Sequence, residues 1–156
     1  MKRAIQRRTL LLAGTVALAG CANLTPATIA SDVQLVANGV LAFAPLLAPL
    51  GIPASVVAKV LALAADVAAQ TTSIGSVISS LTPPTNVASI VSDVQAIAGL
   101  VEPILPNTAA GNAARVILVA TLALLPSIQA AAGLPVVAGS ASGMAPADAR
   151  AVLRAL

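Results

Sequence analysis

Beyond residue 20, the groups able to do acid–base work are five carboxylates: Asp32, Asp66, Asp93, Glu102 and Asp148. A general acid–base pair needs two of them converging in one cleft. Asp32 and Asp93 are the pair set in matching sequence, Ser31-Asp32-Val33-Gln34 and Ser92-Asp93-Val94-Gln95. A two-fold arrangement of those segments would bring them together. The plainer expectation places each Asp in a helix's first turn. There it complements the positive dipole end by about 0.3–1 kcal/mol, with the preceding Ser as a cap. Ser55 and Lys59 stand at i, i+4, the spacing at which a serine and a basic partner touch on a helix. Their surroundings match no serine–lysine motif, so an exposed serine and a surface lysine is the default. Gly111 precedes Asn112 without the lysine of a phosphate loop. Histidine is absent and Cys21 is the single cysteine, so a Ser-His-Asp triad, a Cys-His dyad and a Cys/His zinc site are excluded within this chain. The carboxylates are too dispersed to cage a metal through oxygen. These residues point to a non-enzymatic protein without metal or organic cofactor.

The 156 residues suffice for one domain. Hydrophobic residues make up 58% and charged residues 8%, against roughly 45–50% and 25% in soluble domains. Phe43 is the only aromatic residue. The net charge of +3 is concentrated at the start, where Lys2, Arg3, Arg7 and Arg8 lie. Without them, Lys59, Arg115, Arg150 and Arg154 face the five carboxylates, a net charge of −1. No basic patch remains for phosphates and almost nothing remains to stack on bases, which argues against nucleic-acid binding.

Residues 1–20 read as an export signal. The four cations precede a short apolar stretch at residues 9–18, about half the length needed to cross a bilayer. Leu18-Ala19-Gly20-Cys21 comes next. This ordered set resembles the signal and lipobox of bacterial lipoproteins. The resemblance covers about the first 25 residues. It implies cleavage before Cys21, a diacylglyceryl group on the Cys21 thiol and a fatty acyl group such as palmitate on the new amino terminus. In that family an aspartate after the cysteine favours the inner membrane; Ala22 stands there, which leans toward the outer membrane. Gln6-Arg7-Arg8-Thr9-Leu10-Leu11 is also similar to a relaxed twin-arginine signal, with Leu where that family has Phe. The remainder resembles small alanine-rich lipoproteins of high-GC proteobacteria and their prophages, in composition and signal alone.

Alanine and leucine dominate the chain after this leader, and both are strong helix formers. Proline and glycine gather at the breaks. Helices are predicted over residues 28–47, 53–80, 86–105 and 109–132, with Thr85 or Asn86 as a cap. The second is expected to loosen at Thr71-Thr72-Ser73 and the fourth to kink at Pro126. A linker at 134–144 leads to a last helix within 145–156. Besides the Ser-Asp-Val-Gln echo, Ala58-Lys59-Val60-Leu61 resembles Ala114-Arg115-Val116-Ile117. The predicted fold is all-α: two tandem helix hairpins forming a four-helix bundle over 28–133, plus a short C-terminal amphipathic helix. A tether at 21–27 joins it to the lipid.

Two readings of the bundle compete. Residues 34–58 and 116–147 carry no charge and are long enough to span a bilayer. Prolines and glycines interrupt both, each helix keeps a thin polar stripe, and aromatic girdle residues are missing. A water-exposed, lipid-anchored bundle is therefore the main expectation, and a membrane-inserting, holin-like protein the alternative. The tail sets Ala149, Val152, Leu153 and Leu156 on one face and Asp148, Arg150 and Arg154 on the rest. Val152, Leu153, Leu156, Arg150 and Arg154 are thus candidates for docking an envelope protein or lipid headgroups. Packing back onto the bundle is the competing use. The expected role is structural or protein-associating, in the cell envelope, with membrane lipid as the first partner and self-association as another.

Overall fold

The computed structural model describes residues 26–77, 85–136 and 143–156. All regular structure among them is helical: α1 Pro26–Phe43, α2 Ala54–Val77, α3 Thr85–Val101, α4 Ala109–Ala131 and α5 Pro146–Arg154. α1 packs against α2 and α4, α3 packs against α2 and α4, and α5 lies across α4 and α1. The first four helices form a ring in chain order, two tandem hairpins closed on each other, with α5 added on one side.

Proline position explains the helix ends. Pro26 occupies the first turn of α1, where its missing N–H costs nothing. Pro45 and Pro103 cannot continue an α-helical ladder, and the chain tightens into single 3-10 turns at Ala44–Leu46 and Glu102–Ile104. These turns end α1 and α3 respectively, so each hairpin turns after the same device. In the first hairpin Gly51 adopts φ +75° before Pro53, whose carbonyl accepts the Val56 and Val57 N–H groups. In the second, Thr108 caps α4 by accepting the Gly111 N–H at 3.1 Å. α4 ends in a Schellman motif: Gly133 at φ +68°, its N–H donating to the Ala130 carbonyl, and the Leu134 N–H donating to the Gln129 carbonyl.

Several expected details change. α1 begins two residues earlier than expected, and α3 already includes Thr85 as a helical residue. Asp32 and Asp93 stand beyond the first turn of α1 and α3, which holds no acidic residue in either helix, and they would do so even with the expected starts at residues 28 and 86. The dipole-and-cap account of these two residues fails for that reason. α2 does not loosen at Thr71-Thr72-Ser73. The Thr71 hydroxyl returns to the Val67 carbonyl at 2.7 Å and the helix continues to Val77. α4 is helical on both sides of Pro126, the position of the expected kink. The linker expected over 134–144 is described only at its two ends.

Burial separates the two sequence echoes. After the Ser-Asp pair the first stays in phase: Val33, Val36 and Ala37 are buried, as are Val94, Ile97 and Ala98. The second does not, because Val60 is fully buried while the matching Val116 is exposed. Shifted by one residue, the buried stripe Val60, Ala64, Val67, Thr71 of α2 corresponds to Ile117, Thr121, Leu124, Ile128 of α4. The likeness of the hairpins lies in the spacing of core positions, not in the Lys59/Arg115 match. The core joins both around Phe43, Leu47, Ile90, Ile97, Leu124 and Ile128.

Candidate functional site

The most strongly built polar feature is a clasp between α1 and α5. Arg150 donates from Nε to Asp32 Oδ1 at 2.7 Å and from Nη2 to Oδ2 at 2.6 Å. This is the two-pronged guanidinium–carboxylate geometry that makes charge-assisted pairs strong and directional. The Asp32 side chain is 3% exposed and that of Arg150 is 28% exposed. The hydrogen bonds to Asp32 push the Arg150 pKa further above the ordinary guanidinium value, against a smaller opposing effect of burial and with the Asp32 charge reinforcing the rise. The cation is therefore permanent at any working pH.

Sequence position accounts for the clasp. Asp32 interrupts the apolar stripe formed by Ile29, Val33, Val36, Val40 and Phe43, so α1 cannot bury that stripe without burying a carboxylate. α5 supplies the answer one turn before its own buried Leu153. Asp148 in its first turn and Arg154 in its last complement the helix dipole. Gly39 lets α5 approach: a Cβ there would lie 2.6 Å from Thr121 Oγ1 and 2.8 Å from Leu153 Cδ2. The Thr121 hydroxyl is itself closed onto the Ile117 carbonyl at 2.8 Å. The tail residues thus divide. Arg150 and Leu153 are used inside the bundle, Val152 is half-buried, and Leu156 and Arg154 remain exposed.

A second polar group gathers where α4 begins. Arg115 donates to Asn107 Oδ1, Asn112 Oδ1 and the Leu105 carbonyl, at 3.3, 3.0 and 3.2 Å. It ties the 3-10 exit of α3 to the first turn of α4. Gly111 is required there, since a Cβ would meet the Pro106 carbonyl oxygen at 2.1 Å. This cluster positions the backbone and holds no carboxylate.

Asp32 and Asp93 do not form a pair. Asp93 accepts from Gln70 Nε2 of α2 at 3.3 Å, while Asp32 is committed to α5. Asp66, Glu102 and Asp148 are exposed on separate helices or turns, and Ser55 and Lys59 are both exposed on α2. Among the described residues no three acidic or cysteine side chains gather as a metal would need. Leu18, Ala19, Gly20, Cys21, Arg7 and Arg8 lie outside the described residues.

Sequence periodicity does not announce the clasp, since it places Asp32 at a helix start and leaves α5 either docking a partner or packing back onto the bundle, the second of which the structure shows. A signal is nonetheless present in the stripe: an acidic residue at a core-facing position requires a buried cation, and the chain beyond residue 20 has four.

All four long helices are long and apolar enough to cross a membrane, by length and composition. Their burial differs. Half or more of the apolar window is buried in α1 and α4, 39% in α3, and only 22% in α2. An all-α bundle of apolar helices, compatible with membrane association and fastened by α5, is the class that fold and clasp define. No family model, no curated protein and no solved structure matches the chain.

Proposed function

We propose that the chain is a non-enzymatic cell-envelope lipoprotein, held to the membrane by acyl groups on Cys21 and acting by structure or association. One observation carries this: Leu18-Ala19-Gly20-Cys21 comes after a basic, then apolar, leader and contains the chain's single thiol. Only four residues, 22–25, separate Cys21 from the start of α1 at Pro26. Fully extended, the link from Cys21 to α1 reaches about 17 Å, so the bundle lies against the headgroups. Ala22 after the cysteine supports the outer membrane as destination, and Arg7-Arg8 supports twin-arginine export.

Support for a bundle that stays outside the hydrocarbon comes from its polar contacts. A buried ion pair and the Arg115 cluster hold its elements together, and Lys59 and Asp66 lie on the outward face of α2. A charge facing lipid at mid-bilayer costs about 2.5–3.5 kcal/mol on insertion scales. The second reading, a membrane-inserting, holin-like protein, is favoured by four apolar helices of spanning length.

Two measurements test the proposal. Mass spectrometry of the protein taken from membranes should find an amino-terminal Cys21 carrying diacylglyceryl and acyl groups, and Cys21→Ala should remain unprocessed. A chain beginning at Ala22, made in the cytoplasm, should be soluble and helical by circular dichroism. Its retention in carbonate-washed membranes would replace the anchored bundle with the inserting one.

A further inference from the structure

We propose that the outward face of α2 is an antiparallel docking surface for a second copy of this chain. α2 carries two seams with the same 4-3-4 spacing. Val60, Ala64, Val67 and Thr71 are buried in the bundle. Ala58, Ala62, Ala65 and Ala69, two residues earlier at each step, are exposed on the opposite side. The outer seam has the a/d periodicity by which one helix packs along another, and alanine permits a short interaxial distance. Leu61 flanks it, 48% exposed.

The flanking charges specify the occupant and its direction. Lys59 and Asp66 are seven residues apart on the other flank of the seam, both exposed, and neither has an ion-pair partner among the described residues. Place a two-fold axis between residues 63 and 64, with a second α2 antiparallel. Ala62 then faces Ala65 of the second copy and Ala58 faces its Ala69. An antiparallel two-fold sets each flank against itself, so Lys59 of each copy meets Asp66 of the other, twice. A parallel arrangement places Lys59 opposite the flank that carries Leu61 and leaves both charges unmatched. Self-complementarity of this kind is the property of an isologous interface. The same two charges disfavour lipid as the occupant of this face. Four alanine layers and Leu61 make a small interface, so the dimer is reversible. The pairing rests on α2 alone and stands whether or not Cys21 carries lipid.

The full chain in mild detergent, monitored by sedimentation velocity from micromolar to hundreds of micromolar, is expected to pass from monomer to dimer. Lys59→Asp and Asp66→Lys each turn two attractions into two repulsions and should weaken association by about tenfold or more. The double variant should restore it. Ala62→Arg, which places an unmatched charge in the seam, should abolish it. The substituted positions are all exposed, and circular dichroism should report unchanged helicity. Lys59 is the only lysine after residue 20. A zero-length carbodiimide link between Lys59 and Asp66, found between isotopically distinct copies, would fix the geometry. Monomer at every concentration, or association indifferent to charge reversal and to Ala62→Arg, would overturn the proposal. Monomer together with Ala62→Cys shielded from a water-soluble maleimide in membranes would assign the face to lipid instead.

Discussion

The two Ser-Asp-Val-Gln segments carry one tetrapeptide into two environments. Asp32 is almost completely buried and held by both arms of Arg150; Asp93 is half-exposed and takes one amide hydrogen bond from Gln70. Both stand mid-helix in the first helix of a hairpin, and the buried residues after them keep the same phase. The difference comes from α5, which docks on α1 and α4 and has no counterpart beside α3 among the described residues. A carboxylate's role is thus set by what covers its helix, not by its local sequence. The glycines of α1 and α3 also differ, although they do not occupy matching positions, Gly39 being seven residues after Asp32 and Gly99 six after Asp93. Gly39 of α1 lies against Thr121 and Leu153, while a Cβ at Gly99 of α3 meets nothing within 4 Å.

The comparison can be broken most forcefully at the clasp. Arg150→Ala leaves a buried carboxylate without its cation, and urea unfolding should show a loss of about 3 kcal/mol. Replacing both partners, as Asp32→Leu with Arg150→Leu, should return stability close to the starting value, because desolvating two charges offsets much of their attraction. An Arg150→Ala protein as stable as the parent would show that α5 is undocked in solution. Gly39→Ala crowds the Thr121 hydroxyl and Leu153 and should cost about 1–3 kcal/mol. Gly99→Ala should act in the opposite direction, stabilising by roughly 0.5–1 kcal/mol through a less flexible unfolded chain. Removing the α4 cap with Thr108→Ala should lower stability by about 1 kcal/mol. The smallest effect is expected for Asp93→Asn, within about 0.5 kcal/mol. Parallel thermal melts of Asp93→Asn and Asp32→Asn would measure directly how far the two copies have diverged.

Much of the architecture is legible in the sequence because proline and glycine mark its joints. Pro45, Pro49, Gly51 and Pro53 bracket the first turn, and Pro103 and Pro106 the second. Periodic alanine, valine and leucine leave helix as the simplest structure between them. The details that escape the sequence are tertiary. Thr71 resembles a weak point because a free hydroxyl competes with the helix, yet its bond to the Val67 carbonyl satisfies it in place. Arg150 resembles a free docking group because its own helix gives no hint of a buried carboxylate 118 residues earlier. Amphipathic periodicity identifies the α5 face that is used, but not that α1 and α4 receive it. The resemblance of Leu18-Ala19-Gly20-Cys21 to a lipobox is read from sequence alone and owes nothing to the fold.

The clasp also orders events in time. Asp32 and Arg150 are 118 residues apart, so on a ribosome adding about 5–20 residues per second the cation is made roughly 6–24 s after the carboxylate it must neutralise. During that interval α1 cannot bury its core stripe at the level of Asp32 without an unmatched charge. The clasp is therefore a late event: until residue 150 has been made Asp32 has no cation to meet, and the contact between α1 and α5 closes only after both hairpins have been synthesised.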